Sequence, residues 1–143
     1  SVRTDVPVIF TAHSLPERIL EWDDPYPSQL YATMQALMKR LGPRPHEFAF
    51  QSAGISTEPW LGPDASEVIE RYAGRGKRHI LICPIGFVCE HVEILYDIDI
   101  VYQKLANRLG VQLERIEMLN DSPEMIRGLA GLVREATQEA GWL

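Results

Sequence analysis

His79-Ile80-Leu81-Ile82-Cys83-Pro84-Ile85-Gly86-Phe87 combines an unbroken apolar run with a turn that contains proline and glycine. A strand buried on both faces of a parallel sheet is apolar along its whole length, whereas a half-exposed strand alternates. His79–Cys83 is therefore predicted to be a strand buried on both faces. The turn at Pro84–Phe87 leads into a segment predicted to be helical from Val88 to about Leu109. This order indicates an α/β unit.

Three similar units flank this one in the chain. Their predicted strands are Val6–Ala12, Phe48–Ser52 and Val111–Ile116. Their predicted helices run from Pro25–Pro27 to Leu41, from a cap at Asp64 or Ser66 to Tyr72, and from Asp121–Glu124 to about Ala140. Alternating strands and helices predict one four-stranded parallel sheet with helices on both faces.

Composition sets the broad class of the protein. The 143 residues are 45% hydrophobic with a formal net charge of −6, which suits one compact α/β domain and argues against a nucleic-acid binder. Neither an apolar run of ~20 residues nor a signal-peptide h-region is visible. Two cysteines are too few for a disulfide framework, so we expect a reduced, cytoplasmic protein. The start at Ser1, close to a strand, suggests a piece of a longer protein.

The carboxyl ends of the strands are where a parallel sheet binds its ligands. This rule selects His13-Ser14 after the first strand and Pro84–Phe87 after the third. A lone histidine at a strand end is more often structural than a ligand, so His13 alone is ambiguous. No glycine-rich loop follows a strand, which leaves a nucleotide site unsupported.

Acidic residues are concentrated after the third strand. Glu93 and Asp97 are four residues apart, which predicts that they share a helix face, with Glu90 nearby on the same side. Like charges at this spacing are favoured by a bound cation or by simple exposure to water, and spacing alone leaves both open.

Several segments together resemble the ferrochelatase family, and they occur in the family's order over nearly the whole chain. They are Thr11-Ala12-His13-Ser14-Leu15-Pro16, Asp24-Pro25-Tyr26-Pro27, Gln51-Ser52, Pro59-Trp60-Leu61-Gly62-Pro63, Cys83-Pro84-Ile85-Gly86-Phe87-Val88 and His91-Val92-Glu93-Ile94-Leu95-Tyr96-Asp97-Ile98-Asp99. The resemblance implies a Rossmann-like, chelatase-type fold and one half of a two-domain enzyme. Residues 1–143 would be its C-terminal chelatase domain, and an N-terminal half that forms the other wall of the cleft would be missing.

The resemblance also implies what the residues do. The family inserts Fe²⁺ into a porphyrin, with release of two protons, in a terminal step of heme biosynthesis. His13 and Glu93 would be the catalytic and metal-handling residues, with His13 either a metal ligand or a proton acceptor. The porphyrin pocket would include Trp60, Phe87, His91 and Ser14. Asp97 and Glu90 would form a secondary acidic path.

Substrate and cofactor are less closely defined by the same resemblance. The loop from Gln51 to Trp60 is similar to that of Gram-positive enzymes, which use coproporphyrin III rather than protoporphyrin IX. Val101 replaces a glutamate that continues the acidic row in many relatives, and no cysteine follows Trp142, so no iron–sulfur cluster is expected. Two alternatives stay open: a single-domain, homodimeric cobalt or sirohydrochlorin chelatase, and a tetrapyrrole-binding domain without turnover.

Overall fold

The computed structural model describes residues 5–142. It contains the predicted parallel sheet, with strands β1 (Val8–His13), β2 (His46–Gln51), β3 (His79–Cys83) and β4 (Gln112–Arg115) in the order β2-β1-β3-β4. His13 pairs with Gln51, and Phe10 pairs with Cys83. All strands therefore end at the same edge of the sheet, and this edge carries the candidate site.

The described chain contains five α-helices. They are α1 (Tyr26–Leu41), α2 (Ala65–Gly74), α3 (Val92–Tyr96), α4 (Gln103–Arg108) and α5 (Pro123–Glu139). A 3₁₀ helix, Glu17–Trp22, follows β1 and was not predicted. Asp64 caps α2 in a capping box and Ser122 caps α5, as their side-chain chemistry predicts. Within residues 5–142, no helix is long and apolar enough to cross a membrane.

The two faces of the sheet are covered by different helices. Leu30, Met34 and Met38 of α1 pack against the side of the sheet that presents Phe10 and Phe48. The other face is covered by α2 and by the chain from α3 to α4, through the buried residues Val68, Ile69, Ile94, Ile98 and Leu105. Helices on both faces are thus confirmed, and the α1 face is covered by a single helix.

The prediction that β3 is buried on both faces is wrong. Ile80 and Ile82 point into the core and are buried, whereas His79, Leu81 and Cys83 on the α1 face are only half-buried. α1 packs over β1 and β2, and α5 does not return to cover β3 and β4. An unbroken apolar strand indicates that both of its faces require burial. It does not indicate that residues of this chain bury them.

The long segment predicted to be helical from Val88 to Leu109 is helical from Val92 to Arg108, so it begins later than predicted and contains a π turn that was not predicted. The chain is irregular up to His91, and a π-helical turn, Asp97–Tyr102, separates α3 from α4. Ile94, Ile98 and Tyr102 are all buried at a spacing of four residues. On an α-helix such residues drift by ~40° at each step. A wider turn counteracts this drift and keeps all three in the core.

Candidate functional site

His13 and Glu93 meet at the carboxyl edge of the sheet. His13 is the last residue of β1 and Glu93 lies in the first turn of α3, and their Nε2 and Oε2 atoms are 3.2 Å apart. Their side chains are 31% and 41% exposed, so the pair is open to solvent and to a ligand. Sequence motifs predicted both residues, and the structure brings them together.

The backbone around His13 fixes the direction of its imidazole. The Tyr26 hydroxyl donates to the His13 carbonyl at 2.8 Å, and Nδ1 of His13 contacts the Ser14 carbonyl. Because a carbonyl oxygen only accepts, Nδ1 carries the proton and Nε2 faces Glu93. Histidine ligands of metals are commonly oriented in this way, by a hydrogen bond from the other ring nitrogen.

Tyr26 belongs to the Asp24-Pro25-Tyr26-Pro27 motif, but no role was predicted for it from the sequence. Burial raises the pKa of its phenol, so the hydroxyl remains a donor to His13 across the physiological pH range. The amide of Tyr26 is in turn held by Asp24 at 2.8 Å. Asp24-Pro25-Tyr26-Pro27 therefore supports the end of β1 as well as starting α1.

Glu93 is brought to His13 by a close contact between the loop after β3 and strand β1. The Gly86 amide donates to the Thr11 carbonyl at 3.1 Å. A Cβ on Gly86 would lie 2.4 Å from the Cβ of Ala12, which is closer than real Cβ atoms approach. Only glycine therefore permits this approach without a shift of one backbone.

His91 and Phe87 line the loop that leads to Glu93. Nδ1 of His91 accepts from the Glu93 amide at 3.3 Å and so caps α3, and the His91 ring stacks on Phe87 with a centroid distance of 6.3 Å. Both rings are at least partly exposed. Their predicted part in a porphyrin pocket stays a prediction, while the cap on α3 is a role that the sequence did not reveal.

Trp60 lies on a loop that is attached to the segment after His13. The Glu17 amide donates to the Pro59 carbonyl, and the Leu61 amide donates to the Leu15 carbonyl, both at 2.9 Å. The half-buried indole donates to the Ser56 hydroxyl at 2.8 Å and packs directly over Gly54. These contacts give Trp60 a fixed place on the same side of the sheet edge as His13.

Ser14 does not line an open pocket, contrary to the prediction. It is 1% exposed, and its hydroxyl donates to the Leu61 carbonyl at 2.8 Å. The side chain after His13 points inward because successive residues of an extended chain alternate in direction. Ser14 therefore attaches the Trp60 loop to the end of β1.

Asp97 is joined to β2 by a polar chain that sequence reasoning missed. Ser52, which has a left-handed backbone (φ 61°), donates its hydroxyl to Asp97. Beneath it the fully buried Gln51 accepts from the Thr11 hydroxyl at 2.8 Å. A glutamine at the end of an apolar strand was the available signal, since a buried amide requires partners.

Glu90 does not share a helix face with Glu93 and Asp97, because it precedes α3. Its amide donates to the Asn120 side chain at 2.9 Å, and its carboxylate lies 3.7 Å from Arg115. Arg115 forms two hydrogen bonds of 2.9 Å with Asp99 on the π-helical turn. Glu90 therefore faces a second charged cluster, whereas Asp97 continues from Glu93. The predicted acidic path through Asp97 and Glu90 stays a prediction, with Asp97 one helical turn beyond Glu93 and Glu90 directed toward Arg115.

Comparison with known proteins shows the family of the chain. A family model described as Ferrochelatase matches residues 1–137 of the chain. The chain belongs to the ferrochelatase family. A curated ferrochelatase from Herpetosiphon aurantiacus is 49% identical over 125 residues, which are 87% of this chain and 41% of the relative. A coproporphyrin III ferrochelatase from Halalkalibacterium halodurans is 41% identical over 92% of this chain and 43% of its own length.

The chain thus spans less than half of the length of these ferrochelatases. Its fold is similar to the crystal structure of a CbiX protein from Marinobacter aquaeolei VT8, whose name connects it with cobalamin biosynthesis. The TM-score is 0.61 at 15% identity, with 93% of this chain and 98% of the other covered. At this identity the likeness bears on the fold alone, and it supports the chelatase-type fold predicted from the sequence.

The side chains of this ferrochelatase-family site that could bind a metal are grouped around Glu93. Within residues 5–142, no group of three or more histidine, cysteine, aspartate or glutamate side chains is arranged to hold a metal ion. Nε2 of His13 lies 3.2 Å and Nδ1 of His91 lies 3.7 Å from Oε2 of Glu93.

Proposed function

We propose that this chain is the metal-handling half of a ferrochelatase, which inserts Fe²⁺ into a porphyrin during heme biosynthesis. The observation that carries the proposal is the 3.2 Å approach of His13 Nε2 to Glu93 Oε2 at the open edge of the sheet. Membership of the ferrochelatase family and the fixed direction of the imidazole support it. The other wall of the cleft would come from a second half-domain.

The reaction requires two N–H bonds of the porphyrin to break while bonds from iron to the ring nitrogens form. Fe²⁺ binds imidazole nitrogen well, and a carboxylate suits both the hydrated ion and proton transfer. In the proposed mechanism, the His13 imidazole and Glu93 hold the ion at the ring, and its transfer to the ring frees the Glu93 carboxylate to accept a pyrrole proton. The second proton leaves through His13, whose Nε2 is then unoccupied. Both protons pass to water.

Asp97 extends the acidic surface one helical turn beyond Glu93. Ser52 holds one of its carboxylate oxygens, so the side chain has a fixed position while remaining partly exposed. We propose that Asp97 carries the released protons toward solvent. Asp97 and Asp99 are two residues apart and so point to different sides of the helix, Asp97 to Ser52 and Asp99 to Arg115, which separates this path from the cluster around Arg115.

The porphyrin is proposed to stack against Trp60 and the Phe87–His91 pair. Aromatic faces pack well on a flat macrocycle, and these rings border the His13–Glu93 pair through the loops described above. Coproporphyrin III and protoporphyrin IX are the two candidate substrates, with the first named in the relative from Halalkalibacterium halodurans. A cytoplasmic location is part of the same proposal.

The test is porphyrin metallation followed by loss of porphyrin fluorescence under anaerobic conditions. The chain would be assayed with Fe²⁺ and each porphyrin, alone and within the full-length protein that contains it. His13→Ala should lower the rate by roughly 100-fold or more, the range expected when a group that handles protons or metal is removed. Porphyrin affinity, measured by fluorescence quenching without metal, should remain within about threefold.

His46→Ala is the matched control. Its imidazole contacts the Arg44 carbonyl at 3.0 Å at the opposite end of the sheet, so the rate should not change. A normal metallation rate in the His13 variant would contradict the proposed function. Porphyrin binding with no metallation in any unmutated form of the protein would instead favour a binding domain without turnover.

A further inference from the structure

The segment between β3 and Glu93 is held in two different ways. Its first part is held by the contact between Gly86 and β1 described above. The side chains of Val88, Cys89 and Glu90 are all exposed, so apolar packing does not hold the second part. This second part leads directly into α3, whose first turn carries Glu93. The position of Glu93 therefore depends on how residues 88–90 are held.

Asn120 holds residues 88–90 with two hydrogen bonds. Its backbone amide donates to the Val88 carbonyl at 3.1 Å, and Oδ1 of its side chain accepts from the Glu90 amide at 2.9 Å. Because a backbone N–H only donates, the oxygen of the Asn120 side chain must face Glu90. The two bonds lie on either side of Cys89, so they fix both the position and the direction of the backbone there.

Asn120 is itself anchored in the fold. Met118, two residues earlier, is 8% exposed and belongs to the same core cluster as Ile94 of α3. Ser122, two residues later, caps α5, and its amide donates to the Leu119 carbonyl at 2.9 Å. A buried side chain on one side and a helix cap on the other thus hold the backbone of Asn120. The residue therefore gives the exposed segment a fixed point of attachment.

The side chain of Asn120 serves the contact with Glu90 and not the turn in which it lies. Its φ of 45° is in the left-handed region, which asparagine tolerates better than most residues and glycine adopts at least cost. An asparagine in a turn usually bonds the backbone two residues further on. Here its oxygen accepts from a residue 30 positions earlier, while Ser122 caps α5. The turn alone would permit glycine, so the contact with Glu90 is what the side chain adds.

We propose that Asn120 is a positioning residue of the metallation reaction, which sets the place of Glu93 relative to His13 by holding residues 88–90. This inference rests on the proposed function, in which Glu93 holds the ion and accepts a proton. Asn120 acts through the backbone that leads into α3 and not through contact with the substrate. Because a small displacement of a reacting group lowers the rate strongly, its loss should affect kcat and not the KM for porphyrin.

The first measurement is amide hydrogen exchange at Glu90, followed by NMR. Asn120→Gly keeps the left-handed backbone and the amide that donates to Val88 but removes the acceptor, so exchange at Glu90 should become roughly tenfold faster. Asn120→Asp keeps an acceptor oxygen and tolerates the same φ, so its exchange should resemble that of the parent. Asp23→Gly is the matched control, because Asp23 is also exposed and left-handed (φ 50°) but lies at the end of the 3₁₀ helix.

Metallation kinetics of the same variants test the effect on the reaction, in the chain or in the full-length protein that contains it. Asn120→Gly should lower kcat by roughly tenfold and leave the KM for porphyrin within about threefold. Asn120→Asp should restore kcat to within about twofold of the parent, and Asp23→Gly should change neither quantity. A purely structural role of Asn120 would lower the free energy of unfolding without this division between kcat and KM.

Three results would overturn this role. Unchanged exchange at Glu90 in Asn120→Gly would show that the segment does not depend on the side chain. Faster exchange with a normal kcat would show that the position of Glu93 does not depend on the segment. A loss of kcat that Asn120→Asp does not restore would show that the acceptor oxygen is not the cause. If no unmutated form metallates porphyrin, the proposed function fails, while exchange at Glu90 still supports or overturns the contact itself.

Discussion

Two side-chain pairs connect strand ends to the segment after β3, and they differ in geometry. Arg115 and Asp99 form two parallel hydrogen bonds of 2.9 Å, and Arg115 is only 15% exposed. His13 and Glu93 share one contact of 3.2 Å and are both more exposed than Arg115. In the first pair both carboxylate oxygens of Asp99 accept a hydrogen bond, whereas the second pair has a single contact and is more open to a ligand. A pair of a basic and an acidic residue therefore forms a structural clamp, Arg115–Asp99, in one place and the candidate site, His13–Glu93, in the other.

The Arg115–Asp99 clamp holds the backbone next to the candidate site in place. The hydrogen bonds with Asp99 raise the pKa of Arg115, so this guanidinium stays charged at any pH at which the protein folds. Through Asp99 it holds the π-helical turn, and through Glu90 it holds the loop that precedes Glu93. A fixed clamp allows the neighbouring pair to exchange its mutual contact for an ion without moving the backbone.

The largest effect should come from removing charge at one carboxylate of each pair. Glu93→Gln should lower metallation by roughly 100-fold or more, because an amide cannot accept a pyrrole proton, and should leave the free energy of unfolding within about 0.5 kcal/mol. Asp99→Asn should do the reverse, with a loss of about 1 kcal/mol of stability and metallation within about threefold. Steady-state kinetics and urea unfolding of both variants measure this contrast.

Equal losses of stability in Glu93→Gln and Asp99→Asn would contradict the different roles assigned to the two pairs. So would a slow Asp99→Asn enzyme with the same porphyrin affinity and a normal free energy of unfolding, because Asp99 would then belong to the reacting site. The full-length protein should be used for the kinetics if the isolated chain does not metallate porphyrin.

Sequence reasoning located the candidate site but not its supports. The rule that ligands bind at strand carboxyl ends selected His13 and the loop before Glu93, and the family motifs named both residues. The partners Ser52–Asp97 and Arg115–Asp99 are 45 and 16 residues apart in the chain. Such pairs depend on strand register and on the π turn. No local pattern in the sequence encodes either of them.

The errors about β3 and Ser14 have a common cause. Apolar character along β3 correctly indicated a demand for burial, but a single chain leaves the α1 side of Leu81 and Cys83 incompletely covered. Motif membership placed Ser14 beside a ligand, although the alternation of side chains directs its hydroxyl toward Leu61. A sequence pattern or motif indicates that a side chain needs burial or a hydrogen-bond partner. Only the folded structure shows which residues provide them.

An intermediate effect is expected from a substitution at Gly86, because the close packing of its backbone against β1 brings Glu93 to His13. Gly86→Ala would place a Cβ 2.4 Å from that of Ala12, so the loop must move away from β1. We expect metallation to fall by roughly tenfold and the free energy of unfolding to fall by about 1–3 kcal/mol. The control is Gly74→Ala, where nothing lies within 4 Å of the added Cβ, and neither quantity should fall. Unchanged kinetics in Gly86→Ala would show that the pair tolerates displacement.

The smallest effect concerns the two thiols at the ends of the loop that carries Gly86. Burial raises the pKa of the Cys83 thiol to about 11 from an ordinary value of 9.0, while Cys89 is exposed. At pH 8 the thiolate fraction of Cys83 is then roughly 100-fold below that of an ordinary thiol, so iodoacetamide should modify Cys89 first. Mass spectrometry of peptides from the modified protein measures the order of modification.

The same raised pKa gives a pH dependence of stability with a definite sign. The folded state favours the protonated thiol, so the contribution of Cys83 is complete below pH 9 and is lost as pH rises toward 11. The free energy of unfolding of the Cys83→Ala variant should therefore fall less between pH 9 and 11 than that of the parent chain. If the two chains lose stability equally in that window, the Cys83 thiol is less buried than the structure places it, and the cavity that it lines beside Leu119 is more open to water.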